Sequence, residues 1–281
     1  YCLLRPFHRD NVFHTARFLG KMSTLLGVEV EVRIPESVKG IGPVVWVANH
    51  QNSYDLLIHS NAVLPGTVSV GKTSLKWIPF FGQMYWLTGN ILIDRTNSNK
   101  AMNTIELTAD KIKSDKLSVW MFPEGTRSRG RGLLPLKTGA FRTAIQANVP
   151  VVPVCASNQH GTIKLNRWDN GKIIIEFLDP IHLDEKCREN LRSTVNDVHK
   201  LMYNKIEQLS DEAAAYQGIG QNIGGAIEKY GLNKQKRNKL SAQLEGRLQG
   251  PRGAALIQSL TSSGNEEFDK GLFLNHPSFF G

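Results

Sequence analysis

The fold is decided by the stretch Val44–Asp55, which reads VVWVANHQNSYD. Its first five residues are apolar and rich in β-branched side chains, a pattern that predicts a short buried strand. A polar block follows at once, so this block is expected at the carboxyl end of that strand. In open α/β sheets, this is the edge at which ligands bind.

His50 and Asp55 form the candidate reactive pair in the polar block. Five residues along a regular helix turn through about 500°, so the two side chains would not share a helix face. They meet if the chain turns after His50 and a helix begins near Ser53, a residue suited to capping. Asp55 then accepts a hydrogen bond from one ring nitrogen and leaves the other free as a base. The alternative is that His50 ends a strand and Asp55 opens a helix, without chemistry.

Three further blocks follow in the chain: Gly89–Arg95 (GNILIDR), Phe122–Arg127 (FPEGTR) and Val149–Val154 (VPVVPV). With the first stretch, they resemble the glycerolipid acyltransferase family, and in particular its bacterial branch that acylates 1-acylglycerol 3-phosphate. The resemblance covers residues 1–209. It includes two longer matching phrases, Trp77–Gly82 (WIPFFG) and Trp120–Gly132 (WMFPEGTRSRGRG).

The order of apolar and amphipathic segments predicts an α/β domain over residues 1–209, with a mostly parallel central sheet flanked by helices. Strands are predicted at 28–34, 44–48, 68–70, 91–93, 117–122, 149–155 and 172–178, and helices at 53–63, 100–116, 140–147 and 189–209. Pro150 and Pro153 favour an irregular strand or one near a sheet edge. Glycines interrupt the helical pattern of residues 210–281, which predicts a helical or flexible appendage of unknown role.

The resemblance implies transfer of an acyl chain from a thioester to the sn-2 hydroxyl of 1-acylglycerol 3-phosphate (lysophosphatidic acid), giving phosphatidic acid. His50 removes the hydroxyl proton and Asp55 orients the imidazole, with no covalent enzyme intermediate. The donor is acyl carrier protein or acyl-coenzyme A, and neither a cofactor nor a metal is expected. The alternatives are an acyltransferase for glycerol 3-phosphate or another lysophospholipid, and an idle lipid-binding or membrane-remodelling protein.

A basic, glycine-rich loop, Pro123–Gly132, is the candidate phosphate site. Glycines let the backbone approach an anion, and three arginines supply charge. The lysine pattern of a nucleotide P-loop is missing, so nucleotide binding is not expected. Together with the resemblance, the pattern assigns the acceptor's phosphate to Lys72, Arg95, Glu124, Gly125, Thr126, Arg127 and Lys137. Lys72 can equally be read as a solvated surface lysine.

The most apolar and aromatic segment is 77–93. Three interpretations stay open: it lines a tunnel for the acyl chain, enters a membrane interface, or packs as ordinary core. The resemblance places the block with Pro150 and Pro153 beside the acyl chain. The expected acyl-site residues are Phe81, Trp86, Pro150 and Pro153.

Charge points to an anionic partner. The 281 residues carry a net charge of +9, and residues 1–209 hold 26 basic and 18 acidic side chains. A basic surface suits an anionic membrane or a phosphate substrate. Without a zinc, RNA-binding or helix-turn-helix pattern, nucleic acid is not expected. Residues 1–26 read as a basic amphipathic helix, which lies on a membrane or packs on the domain itself.

The sequence contains no run of eighteen apolar residues, so no transmembrane helix is predicted within it. The resemblance implies a hydrophobic anchor ahead of Tyr1, and a site of action at the cytoplasmic side of the inner membrane. The three cysteines are far apart and suggest neither a disulfide nor a metal motif, in keeping with a reducing compartment.

Overall fold

The computed structural model describes residues 2–93, 98–166 and 169–230, apart from the side chains of residues 98–103 and 217–230. The chain divides into two compact units, Tyr1–Ala214 and Ala215–Gly281. The predicted division between residues 209 and 210 stays a prediction. Most of the predicted appendage, residues 231–281, lies outside the described residues.

Seven strands form one sheet within the described residues: β1 (Glu29–Arg33), β2 (Val45–Ala48), β3 (Thr67–Lys72), β4 (Ile91–Ile93), β5 (Ser118–Met121), β6 (Val151–Ala156) and β7 (Lys172–Phe177). Their order is β1-β7-β6-β2-β5-β3-β4. The five strands from β6 to β4 run parallel to one another, and only β7 pairs antiparallel with its neighbour β6. The predicted α/β class with a mostly parallel central sheet is confirmed.

The helices are α1 (Asn11–Lys21), α2 (Asp55–Ile58), α3 (Phe81–Leu87), α4 (Ser98–Asp115), α5 (Gly139–Ala147), α6 (Glu185–Glu189) and α7 (Leu191–Tyr230). Short 3₁₀ helices cover Met22–Leu26, His59–Ala62 and Thr73–Trp77. Among these described helices, none has the length and apolar character needed to cross a bilayer.

The helix predicted from Ser53 starts later. Asn52 accepts a hydrogen bond from the backbone N–H of Tyr54 through its side-chain oxygen, at 2.8 Å. This local turn delays the α-helix to Asp55, and no side chain caps it. The predicted Ser53 cap is therefore wrong, although the turn after His50 is present.

The edge position predicted for the proline-containing strand is also wrong, because β6 lies between β2 and β7 and is buried throughout. The carbonyl of Pro153 accepts from Leu178 N–H at 2.9 Å, on the side facing β7. Its missing N–H faces the same way, because both polar groups of one residue in a strand point to the same neighbour. The proline therefore removes one bond to β7 and none to β2.

The core occupies both faces of the sheet. Val45 and Val47 of β2 pack in the cluster that includes Phe141 of α5 and Met202 of α7. Trp46 and Ala48 pack in the opposite cluster, which includes Ile58 and Phe177. Burial on both faces explains why β2 reads as a continuous apolar run rather than as an alternating strand.

Strand register brings the ends of the parallel strands to one edge. Val47 pairs with both Met121 and Pro153, and Trp120 pairs with Ser69. Lys72 is three residues beyond Ser69, and Asn49 is three residues beyond Trp46, which also pairs with Trp120. Lys72 and Asn49 therefore lie at the same height along the sheet, about 10 Å apart across two strand spacings. This edge carries the polar block that begins at Asn49.

Candidate active site

Asp55 fixes the ring of His50. The Nδ1 atom of His50 lies 2.5 Å from Oδ2 of Asp55. The same oxygen accepts from the backbone N–H groups of Gln51 at 2.6 Å and Asn52 at 3.2 Å. Asp55 is only 2% exposed, so its carboxylate is held away from water. With Nδ1 engaged, Nε2 is the ring nitrogen available to a substrate.

An aromatic ring covers one face of the histidine. Phe122, which follows β5, stacks on His50 with ring centroids 4.2 Å apart and an angle of 18° between planes. The His50 side chain nevertheless stays one-fifth exposed. The imidazole is therefore held by a carboxylate and a phenyl ring, and a ligand can still reach it.

Glu124 has a different role from the one predicted. It is 3% exposed, and its two oxygens accept from the backbone N–H groups of His50 at 2.6 Å and Leu134 at 2.9 Å. Burial raises the pKa of the Glu124 carboxyl, against the opposing effect of these two hydrogen bonds. A buried carboxyl group whose two oxygens both accept backbone hydrogen bonds is unsuited to bind phosphate, so Glu124 positions the backbone instead.

The basic loop is joined directly to the polar block. Ser128 N–H donates to the carbonyl of His50 at 2.8 Å, and Arg129 N–H donates to that of Gln51 at 2.9 Å. Gly130 adopts φ = 85°, and a Cβ there would collide with the ring of His160. Glycine at this position therefore lets the loop close on His50 and Asp55, called the dyad below, where a side chain would collide.

Cationic groups lie around this loop. The guanidinium of Arg127 donates to Ser53 Oγ at 3.3 Å, which places it beside the polar block. The Nζ atom of Lys137 would lie 2.7 Å from a Cβ at Gly125, so its side chain covers that glycine. Thr126, Arg127 and Lys137 are exposed, as is Lys72 at the end of β3. Their arrangement can hold an anion next to His50. Arg95 lies outside the described residues.

The expected acyl-site residues are not brought together. Pro150 O accepts from Val45 N–H at the start of β2, about 20 Å along the strand from His50, so its place beside the acyl chain stays a prediction. Pro153 is buried within β6. Phe81 stacks on Tyr85, and Trp86 packs edge-on against Phe7 with centroids 4.8 Å apart. Among the described contacts, none joins these four residues to the dyad.

Asn49 and Gln51 are structural members of the site to which no role was assigned from sequence. Asn49 exchanges two hydrogen bonds with the backbone of Ala156, at 2.8 and 2.9 Å. Gln51 donates to the carbonyl of Ser157 at 2.9 Å and accepts from Gln159 N–H at 2.8 Å. A polar residue at the end of a buried strand needs such partners, which is the signal that could have identified them.

His59 is a second buried histidine behind the dyad. Its Nε2 donates to the carbonyl of Asn49 at 3.1 Å, and its ring packs edge-on against Phe122 and Trp120. Burial lowers the pKa of His59, so the ring is neutral at physiological pH. Its spacing of four residues from Asp55 on the same short helical segment was the available sequence signal.

Comparison with known proteins gives concordant matches. A family model described as "Acyltransferase" matches residues 29–157. A Haemophilus influenzae protein named 1-acyl-sn-glycerol-3-phosphate acyltransferase is 51% identical over 76% of this chain and 89% of its own length. An Escherichia coli protein of the same name is 47% identical over 79% and 90%.

The fold has a solved counterpart. The crystal structure of the 1-acyl-sn-glycerophosphate acyltransferase from Thermotoga maritima superposes with a TM-score of 0.55 at 24% identity. The match covers 69% of this chain and 79% of that one. At this identity the likeness is one of fold.

Replacing Glu124 with glutamine should destabilise the protein. The amide keeps one acceptor, but its NH₂ group must face one of two backbone donors, leaving that donor unpaired. We expect a loss of about 1–3 kcal/mol in the free energy of unfolding, measured by urea denaturation. Glu106→Gln, at an exposed position on α4, is the matched control. Equal midpoints for the two variants would contradict the bridging role.

Replacing His59 with glutamine should change how stability depends on pH. Because burial lowers the pKa of His59 below 6.5, the unfolded chain takes up the proton more readily than the folded chain. The parent should therefore lose stability as pH falls below 6.5, by at most about 1.4 kcal/mol per pH unit from this group. The glutamine can still donate to Asn49 but cannot titrate.

The measurement is urea unfolding of both proteins from about pH 8 to about pH 5. The difference in unfolding free energy between the parent and His59→Gln should be constant well above pH 6.5. It should shift against the parent as the pH falls below 6.5. A difference that is independent of pH would show that His59 is not buried in its neutral form.

Proposed function

Because the chain belongs to the 1-acyl-sn-glycerol-3-phosphate acyltransferase family, we propose that it transfers an acyl chain from a thioester to the sn-2 hydroxyl of 1-acyl-sn-glycerol 3-phosphate. The product is phosphatidic acid. The observation that carries this proposal is the His50–Asp55 dyad with a basic loop hydrogen-bonded to its backbone. A base for the hydroxyl and cations for the phosphate thus lie side by side.

His50 acts as the general base in the proposed reaction. Its Nε2 takes the proton of the sn-2 hydroxyl as the oxygen attacks the thioester carbonyl carbon. A C–O bond forms and the C–S bond breaks. The imidazolium then returns the proton to the leaving thiolate, and Asp55 stabilises the charged ring meanwhile. The thioester already activates the acyl group, so the reaction needs no cofactor.

Direct attack by the acceptor is favoured over a covalent enzyme intermediate. Within the described contacts, no serine hydroxyl or cysteine thiol bonds to the imidazole of His50. Cys155 is completely buried, and burial raises the pKa of its thiol well above the usual range. A thiol in that state is a poor nucleophile.

Arg127 is the proposed principal ligand of the acceptor's phosphate, with Thr126, Lys137, Lys72 and Arg95 in support. Only two bonds separate the sn-2 carbon from the phosphate ester oxygen, so the anion site must lie close to the base. The contact of Arg127 with Ser53, inside the same polar block as His50, meets this requirement. A guanidinium can grip two phosphate oxygens at once.

The proposed donor is an acyl thioester of acyl carrier protein or coenzyme A. The proposed place of action is a membrane surface, at the cytoplasmic side of the inner membrane. Association with a membrane surface is supported by the excess of basic residues in 1–209 and by exposed apolar side chains at Leu3, Leu4 and Trp86. Basic residues beside exposed apolar groups suit an anionic lipid surface.

Replacing His50 with alanine should reduce turnover by about 10²–10⁴-fold while leaving the fold intact. The assay follows phosphatidic acid formed from a radiolabelled acyl thioester, with each donor tested separately against a panel of lysolipid acceptors. Asp55→Asn should also be severe, because an amide can favour the wrong imidazole tautomer. Turnover of His50→Ala within a few-fold of the parent would refute the assignment of the base.

Replacing Arg127 with lysine should raise the KM for the acceptor about ten- to a hundredfold. The charge is kept, but the two-pronged contact with phosphate is lost. The KM for the donor should change little. An acceptor without phosphate should be used poorly by the parent and hardly worse by the variant. A selective rise in the donor KM would instead show that the loop binds the thioester's phosphates.

A further inference from the structure

The turn Trp77–Phe80, called the apolar turn below, presents large apolar side chains to solvent. Phe80 is 91% exposed and Trp77 is 77% exposed, and Ile78 between them is also exposed. Among the described residues, no large apolar side chain is more exposed than Phe80. The interpretation of segment 77–93 as ordinary core is therefore wrong for this turn, and its rings do not line a closed tunnel.

The backbone holds Phe80 in a strained conformation. Phe80 has φ = 62° and ψ = −49°, a combination that L-residues other than glycine rarely adopt. The N–H of Phe81 donates to the carbonyl of Pro79 at 2.7 Å, which closes a three-residue turn around Phe80. The exposed ring makes few contacts that could offset this strain. Strain of this kind in an exposed side chain points to function rather than to stability.

The base of the apolar turn is closely packed and hydrogen-bonded. Gly82 approaches the backbone of Leu75 and Lys76 so closely that any Cβ would collide with it. Gly82 N–H also donates to the carbonyl of Ile78 at 2.7 Å. Tyr85, one turn along α3, has its hydroxyl 2.7 Å from that of Ser69 in β3. The exposed rings are thus attached to a packed, hydrogen-bonded base, so the backbone of the turn needs little further ordering when the rings meet a partner.

The surroundings of the apolar turn are basic. Residues 66–93 contain Lys72 and Lys76 and no acidic residue. The Nζ atom of Lys76 lies 4.8 Å from the centre of the Trp77 ring. The N-terminal segment also carries apolar and basic side chains. It is joined to the end of α3, where the N–H of Phe7 donates to the carbonyl of Leu87. This combination complements an anionic lipid surface: aromatic rings for the interface and lysines for the head groups.

We propose that the apolar turn is a preformed wedge that inserts into an anionic bilayer and sets the depth at which the active site meets lipid. This inference rests on the proposed function. The turn follows the carboxyl end of β3, and Lys72 at that end lies level with Asn49, about 10 Å away. An inserted Phe80 therefore brings the edge that carries His50 to the lipid surface. A head group whose acyl chain stays in the bilayer can then reach the dyad.

The test uses co-sedimentation of the chain with phosphatidylglycerol-rich vesicles. Phe80→Gly removes both the ring and the strain, whereas Phe80→Ala removes the ring and keeps most of the strain. Both should bind the vesicles at least about tenfold more weakly than the parent. Phe80→Gly should nevertheless unfold at a higher temperature than Phe80→Ala.

Two control variants should keep vesicle binding. Phe80→Trp should bind within about threefold of the parent, because tryptophan suits the interface. Leu107→Ala, at an equally apolar position 69% exposed on α4, should bind like the parent.

A separate readout distinguishes this inference from the proposed function. Acyl transfer to short-chain lysophosphatidic acid, dispersed as monomers, should be little affected in Phe80→Gly. If the parent has no transferase activity but its vesicle binding still depends on Phe80, the proposed reaction is refuted and the wedge stands. Parent-like vesicle binding by Phe80→Gly would overturn the wedge. Self-association that depends on Phe80 in analytical ultracentrifugation would assign the turn to a second copy of the chain, and would also overturn it.

Discussion

The site depends on one buried carboxylate oxygen. Oδ2 of Asp55 accepts from the backbone N–H groups of Gln51 and Asn52 and faces Nδ1 of His50. The two backbone bonds turn the chain immediately after β2, and the third contact orients the imidazole. The other oxygen, Oδ1, has no hydrogen-bond partner among the described residues, so the described polar contacts of this carboxylate converge on the oxygen that faces His50. One side chain therefore makes the turn and prepares the base.

The segments that follow the two neighbouring strands, β5 and β6, then hold the turn in place. From β5, Glu124 and Ser128 bond to the N–H and carbonyl of His50. On the side of β6, the backbone from Ala156 to Gln159 bonds to the side chains of Asn49 and Gln51. Most of these contacts involve backbone atoms next to strands, where forming the sheet already fixes the backbone, so the contacts themselves order little more than a few side chains. The base is thus positioned by the sheet itself, and the exposed loops add charge to it.

Much of the fold could be predicted from the sequence because β2, β5 and β6 are buried on both faces and so appear as mostly apolar runs. The dyad could be predicted because His50 and Asp55 both lie in the short polar block that directly follows the apolar run of β2.

Pro153 wrongly suggested a strand at the edge of the sheet. Its missing N–H would bond to only one of the two neighbouring strands, so β6 can still lie between them. Proximity in sequence likewise assigned Glu124 to phosphate, whereas its burial and two backbone donors are tertiary features. Local sequence could have marked Asn49 and His59 as candidates, but their partners, the backbone of Ala156 and the rings of Phe122 and Trp120, come from distant parts of the chain.

Charge in the site is segregated by depth, and this separation constrains how a substrate enters. The two carboxylates, on Asp55 and Glu124, are buried and occupied by backbone donors, whereas Arg127, Lys137 and Lys72 are exposed. A phosphate is attracted to the outer cations and repelled by the inner anions, more strongly so where water is excluded. On the proposed function, the acceptor's phosphate therefore stays at the rim of the site while its sn-2 hydroxyl points inward to His50. The buried anions would thus orient the acceptor without touching it, because the reverse orientation would place two negative groups together in a poorly solvated space.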